Sequence, residues 1–237
     1  MVKFHLLKLN SCPILQQLQI EEALLRADTR NWCILNTGSP TAIVMGISGN
    51  PALLINPERY SQGPVPLIRR FSGGGTVLID EQTLFVTWIC NTSDTAVSCC
   101  PKNILNWTES LYQPHLPAFQ IRENDYVLGE RKFGGNAQYL CKNRWLHHTS
   151  LLWDYDAEKM EYLLMPPKMP AYRNNRPHTD FLCKLKDHFT QKHTLHEGIE
   201  KQLKRLFHTV DVEDVREILE RPHRKGTTLV EYKSAAR

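Results

Sequence analysis

Apolar residues between Ile14 and Leu25 recur three and four positions apart, at Ile14, Leu15, Leu18 and Leu25, with Glu21 and Glu22 holding beats of the same period. That spacing lines up one face of a helix; Asn10 or Ser11 can cap it and Pro13 is tolerated in its first turn, so an amphipathic helix is predicted over about 12–27. Beyond it the pattern changes to short β-branched and aromatic runs separated by Gly, Pro and Asn: Trp32–Leu35, Thr41–Met45, Leu67–Phe71, Thr76–Ile79, Leu84–Cys90, Tyr126–Leu128, Gln138–Leu140 and Trp145–Trp153. Such runs predict an antiparallel or mixed sheet. A helical pattern interrupts them near 102–112, and four more follow at about 156–164, 179–188, 194–208 and 212–220. Strands that cluster instead of alternating with helices point to an α+β class: a mixed, largely antiparallel sheet flanked by helices.

Composition narrows the choice. A chain of 237 residues with 41% hydrophobic and 23% charged residues has the material for a packed core, and we expect one domain over 1–237. No internal repeat is visible. Pro166, Pro167 and Pro170 predict a stiff, packed traverse, and the basic stretch 221–237 predicts a solvated tail. No apolar run approaches the roughly 20 residues of a membrane span, and Met1–Asn10 is short and polar for a signal peptide. A soluble, intracellular protein is expected, with cytoplasm the literal reading. Seven scattered cysteines without a Cys-x-x-Cys argue for reduced thiols over a disulfide scaffold or zinc site. A net charge of +4 is mild for this length, which argues against a nucleic-acid role and tolerates an acidic protein partner.

Two segments carry candidate chemistry. In Arg69-Arg70-Phe71-Ser72-Gly73-Gly74-Gly75-Thr76-Val77 a strand passes through three glycines into another strand. Glycines let consecutive amides turn inward as an anion cradle, and Arg70 adds a charge-assisted contact; a plain glycine hairpin is the competing reading. The loop has neither the P-loop ending nor a G-x-G-x-x-G spacing. In Gly129–Gln138 a single lysine, Lys132, sits among small residues that admit a ligand close to the backbone. Its ammonium can hold a carboxylate and stabilise charge as that carboxylate attacks phosphorus; a solvated hairpin tip is the alternative.

Together the segments resemble the lipoate-protein ligase A family of the biotin and lipoate ligase superfamily. Arg69–Val77 with Asp80 matches its Arg-Arg-x-Ser-Gly-Gly-Gly-x-Val run and following Asp; Lys132, Gly135 and Ala137 match its Lys-x-x-Gly-x-Ala. Asn124-Asp125 matches the upstream Asn-Asp pair, and His147–Leu152 the His-His-x-Ser-Leu-Leu strand. The likeness covers roughly 12–190. It implies the fold of the biotin/lipoate ligase catalytic domain and a two-step reaction, in which ATP activates lipoate to lipoyl-adenylate before the acyl group passes to a lysine of a lipoyl domain. The resemblance makes Lys132 catalytic. It places Arg70, Ser72, Gly73, Gly74, Gly75, Thr76, Val77, Leu78, Asp80, Asn124, Asp125, Gly135, Ala137 and His148 around the acyl-nucleotide, with Mg²⁺ sharing the phosphate charge. Lipoyl domains of 2-oxoacid dehydrogenase complexes or the glycine cleavage H protein are the implied partners, and such acceptors make mitochondria a second compartment. A lipoyl tether of four methylenes would gain roughly 3 kcal/mol on burial, so Val77 and Ile79 are expected to face an apolar tunnel.

The chain also departs from the pattern. Ile79 stands where the family often has His, and Gly46–Pro51 lacks the arginine often found there. Bacterial members commonly carry a C-terminal domain, whereas this chain stops within about 50 residues of the matching part, which points to a separate accessory protein or to none. Two other functions stay open: a transferase using a preactivated lipoyl or octanoyl donor, and a non-catalytic scaffold that binds lipoyl domains. The related thioester transferases place a cysteine shortly before the lysine motif, but Pro117–Glu123 has none, so that route would need Cys141 or another thiol. Strand neighbours His147 and His148 point to opposite faces and do not suit one metal; His193 and His196 are expected on a solvated helix face. Adjacent Cys99 and Cys100 suit a loop.

Overall fold

The computed structural model describes residues 3–232. The principal sheet holds β1 (Phe4–Asn10), β2 (Trp32–Thr37), β6 (Thr83–Asn91), β7 (Gln120–Arg122), β8 (Asp125–Leu128), β9 (Arg131–Leu140), β10 (Arg144–Leu152) and β11 (Phe207–Val210). Their order is β11-β1-β2-β6-β10-β9-β8-β7, antiparallel except where β1 runs parallel to both β2 and β11. A smaller sheet, β12-β4-β3-β5, is built from β3 (Ala42–Met45), β4 (Leu67–Arg69), β5 (Val77–Ile79) and β12 (Thr228–Leu229). The longer helices are α1 (Ile14–Ala27), α5 (Pro101–Tyr112), α8 (Thr194–Leu203) and α9 (Val212–Glu220). Shorter ones are α2 (Pro51–Leu54), α3 (Pro57–Gln62), α4 (Thr92–Thr95), α6 (Ala157–Met160) and α7 (His178–Phe181).

Strand β6 is buried on both faces because helices cover both, which explains its continuous apolar run. On one face Trp88 and Cys90 pack with Ile104 of α5 and Leu195 and Ile199 of α8. On the other, Ile89 packs with Ile20 and Leu24 of α1 and Val215 and Ile218 of α9. The result is the mixed, largely antiparallel sheet with flanking helices that the sequence pattern predicts.

Several boundaries differ from expectation, for local reasons. Strand β1, unpredicted, lies inside the sheet between β2 and β11. The helix expected over 179–188 is two single turns, α7 and a 3-10 turn at Leu185–Asp187, because Leu182 bridges to Lys132 and the Cys183 amide donates to the Lys132 carbonyl. The one expected over 156–164 shortens to α6, and that over 194–208 stops at Leu203 before β11 pairs with β1. The solvated-tail reading is corrected as well. Gly226 and Thr227 amides donate to the buried Glu22 carboxylate, each at 2.9 Å, and β12 pairs with β4. Residues 233–237 of that tail lie outside the described residues.

Candidate active site

The glycine loop leaves β4 at Arg69 and is shaped by its own arginine. Arg70 is buried; its Nε donates to Ser72 Oγ at 3.1 Å, and its Nη2 donates to the carbonyls of Gly73 and Gly75 at 2.6 and 2.9 Å. Burial pushes the guanidinium down to about 10, opposed by the nearby Glu21 carboxylate, so it stays charged at neutral pH. Gly74 sits at φ +101°, open in practice only to glycine, and a Cβ there would meet Arg70 Nη2 at 2.6 Å. With two of its nitrogens turned to the loop, Arg70 acts first as the brace that holds these carbonyls in place. Gly46 supports the loop from behind: a Cβ on it would collide with the Gly74 carbonyl oxygen.

Lys132 stands on a strand and not on a hairpin tip. A bulge between Tyr126 and Val127 sets Val127 opposite Lys132 and Tyr126 opposite Gly134, so β9 gains one residue against β8 there. The lysine side chain then runs over Gly135, whose missing Cβ would lie 3.3 Å from Nζ, and reaches Asp125 Oδ1 at 2.8 Å. The other carboxylate oxygen accepts from the Tyr172 hydroxyl at 2.8 Å. The Lys-x-x-Gly and Asn-Asp motifs are thus one structure: the glycine clears the path and the aspartate receives the ammonium.

A second polar chain closes the opposite wall. His148 Nδ1 donates to Glu21 Oε2 at 2.8 Å, and its Nε2 shares a hydrogen bond with the Ser72 hydroxyl at 3.3 Å. Glu21 is fully buried and also accepts from Gln17 Nε2 and Thr87 Oγ1. The neighbour of His148 in sequence, His147, points to the other face of the strand, as a strand requires. It contacts Gln138 at 3.0 Å and Thr149 at 3.2 Å, and burial pushes its pKa down to about 3.

These walls enclose one cleft of about 800 Å³. From the expected set, Arg70, Gly73, Gly74, Gly75, Thr76, Val77, Asn124, Asp125, Lys132, Gly135, Ala137 and His148 all line it. The loop comes close to β9, since a Cβ added to Gly74 would stand 3.4 Å from that of Ala137. Ser72, Leu78 and Asp80 are outside the lining. Ser72 works through His148, Leu78 belongs to the apolar core, and Asp80 accepts from the Gln82 amide at 2.9 Å in the β5–β6 turn. Val77 and Ile79 project into the cleft beside Leu18, Val44 and Phe85, forming an apolar arm. Sequence reasoning did not nominate Glu21, Phe85, Tyr172 or the prolines 166, 167 and 170; the legible signal was an acidic residue on the apolar beat of α1.

The family whose model is described as Lipoyl protein ligase A/B catalytic domain matches residues 13–220. The chain belongs to this family. Among curated relatives, the domain is 30% identical over 223 residues to inactive lipoate--protein ligase 2 of Plasmodium falciparum, covering 78% of this chain and 58% of that protein. It is 31% identical over 154 residues to lipoate-protein ligase A of Blochmanniella floridana, covering 63% of this chain and 45% of the relative. This lipoyl protein ligase A/B domain therefore spans about half the length of the relatives it matches. Solved structures share the fold. The bi-partite lipoate protein ligase of Thermoplasma acidophilum, studied with its E2 lipoyl domain, superposes with TM-score 0.74 at 15% identity over 92% of this chain and 91% of that one. A Thermoplasma acidophilum protein with bound lipoic acid gives 0.71 at 14% identity, covering 92% and 93% of the two chains. A lipoate-protein ligase A bound with ATP gives 0.72 at 14%, covering 92% of each. Among the described residues no helix is long and apolar enough to cross a membrane.

Proposed function

We propose that this domain is a lipoate-protein ligase, activating lipoate with ATP and passing the lipoyl group to a lysine of a lipoyl domain. The observation that carries the proposal is that the Lys132 ammonium and the Gly73–Gly75 loop line one cleft with an apolar arm. A carboxylate is a poor electrophile because its charge is delocalised. Attack of its oxygen on the α-phosphorus of ATP, with departure of pyrophosphate, yields a mixed anhydride, and a neutral lysine amine then attacks the carbonyl as AMP leaves. Lys132 suits both steps, since a fixed cation beside carbonyl and phosphate oxygens stabilises the charge each step develops. The acyl chain fits the arm lined by Val77, Ile79 and Phe85, and the loop amides fit the phosphate. Neighbours solved with ATP and with lipoic acid bound, and one studied together with its E2 lipoyl domain, support the same set of reactants.

Mg²⁺ fits this cleft as an ion held partly by phosphate. Such ions take one or two protein carboxylates; Asp125 is engaged by Lys132 and Tyr172, and the exposed Glu123 beside Asn124 is the carboxylate of the lining that could serve. Among the described residues no group of three His, Cys, Asp or Glu forms a self-contained site. When bound, the ion would share the phosphate charge.

A second reading is transfer from a preformed lipoyl-adenylate. It is favoured by Arg70, whose Nε and Nη2 are engaged by the loop, and by the absence of arginine in Gly46–Pro51. A relative named an inactive ligase fits it too. The thioester route has less support, because none of the seven cysteines lines the cleft. The deciding experiment incubates the protein with ATP, Mg²⁺, lipoate and an isolated lipoyl domain, read by intact mass, beside lipoate-dependent ATP–pyrophosphate exchange. Exchange and lipoylation together support the ligase. Transfer from supplied lipoyl-adenylate without exchange supports the second reading, and inactivity in both assays leaves a lipoyl-domain-binding scaffold.

A further inference from the structure

Lys132 has three N–H hydrogens, and its position depends on where the Asp125 carboxylate points. Asp125 is buried, and its oxygens are divided: Oδ1 faces the ammonium at 2.8 Å and Oδ2 accepts from the Tyr172 phenol at 2.8 Å. The phenol arrives from a different part of the chain. Tyr172 lies on a 3-10 turn at Ala171–Arg173, directly after the proline strap whose Pro166, Pro167 and Pro170 line the cleft. The turn is held by contacts that do not involve the hydroxyl. The Tyr172 amide donates to Glu123 Oε1 at 3.4 Å, the Arg176 Nη2 donates to the Tyr172 carbonyl at 3.0 Å, and the ring lies 5.2 Å from that of Phe181. The hydroxyl is thus a separable contact whose described acceptor is Asp125.

We propose that Tyr172 is a positioning residue for Lys132, acting through Asp125: by occupying Oδ2 it limits the carboxylate to one contact with the ammonium, leaving the remaining N–H hydrogens for the cleft. Without the phenol, the buried carboxylate turns its second oxygen to the ammonium it already faces and draws it away from the reacting oxygens, the nearby Arg173 guanidinium being the competing donor. A carboxylate in a buried setting does not leave an oxygen unpaired when a cation is within reach. Burial and the Asp125 charge push the phenol's pKa up, so it keeps its proton across the working range. This role rests on the function proposed above, in which Lys132 contacts the acyl and phosphate oxygens.

The test uses wild type, Tyr172→Phe, Asp125→Asn and the double variant. Tyr172→Phe keeps the ring packing and both backbone contacts, and thermal unfolding checks that it folds. Lipoate-dependent ATP–pyrophosphate exchange and transfer from supplied lipoyl-adenylate should each lose about tenfold in kcat, with the lipoate KM within twofold. In the Asp125→Asn background the same change should have less than a twofold effect. Equal losses in both backgrounds, or none in wild type, would overturn the proposal, because a purely structural tyrosine acts independently of the aspartate. Acetylation of Lys132 by a water-soluble succinimidyl acetate, read by peptide mass, needs no enzymatic activity. It should slow about threefold in Tyr172→Phe and be unchanged by the second substitution in Asp125→Asn; an unchanged or faster rate in the single variant refutes the role. Wild type inactive in both half-reactions would count against the ligase reading, while the labelling ratios would still decide the tyrosine.

Discussion

The Nζ of Lys132 lies 3.3 Å from the point where a Cβ on Gly135 would stand, so the ammonium occupies space that the glycine leaves empty. Gly135→Ala should fold, because the neighbour is the tip of a flexible side chain and gives way at small cost. In the role proposed for Lys132, a shift of a few tenths of an ångström takes the ammonium off its best position on the reacting oxygens; a full ångström would cost about 100-fold. The expected outcome is an unfolding midpoint within about 2 °C of wild type and a fall of up to roughly 10-fold in lipoyl transfer, measured by thermal denaturation and intact mass.

Gly46 illustrates the opposite case. Its missing Cβ faces the backbone carbonyl of Gly74, which cannot move without disturbing the loop braced by Arg70. Gly46→Ala should therefore destabilise the fold by roughly 1–3 kcal/mol in urea titrations and weaken nucleotide binding in calorimetry. A variant with wild-type affinity would show that the loop does not hold the nucleotide.

The buried histidines make stability depend on pH. Burial depresses the pKa of His147 to about 3 and of His196 to about 4, so the expected solvated face at His193 and His196 holds a buried imidazole. A depressed folded-state pKa means that the unfolded chain binds the proton first. The contribution is complete above the ordinary histidine value of 6.5 and is lost as the pH falls toward the folded values. Between pH 7.5 and 5, each site should lose about 2 kcal/mol. Urea titrations of His147→Gln should show a pH difference smaller by about that amount.

Glu22 anchors the last described strand. Its carboxylate accepts from the Gly226 and Thr227 amides and from Arg26 Nε at 3.0 Å while being almost fully buried. Glu22→Gln removes the charge from these bonds and should cost roughly 1–3 kcal/mol, with faster proteolysis around 222–229. Limited digestion followed by mass spectrometry reports the cut site.

The architecture was legible where one residue type had one job. Helix α1 followed from the spacing of Ile14, Leu18 and Leu25, and the glycine run announced a bend before Val77. What escaped depended on partners far along the chain. β1 owes its place to β2 and β11, and Lys132 reads as a hairpin tip until the bulge opposite Tyr126 extends its strand. The motifs pointed to the cleft through Lys132, Arg70 and His148, whereas Tyr172 has no local signature because its meaning comes from Asp125, 47 positions away. Asp80 shows the converse: a motif position whose side chain serves a turn.

Strand β1 is hydrogen-bonded on one side to β2 and on the other to β11, whose Phe207 pairs with Phe4. A nascent polypeptide emerging from the ribosome therefore exposes one rim of β1 until about 200 residues have followed it. Such an unpaired rim invites association with other newly made chains. Synthesis rate and chaperone cover, more than equilibrium stability, should govern the yield of properly folded molecules.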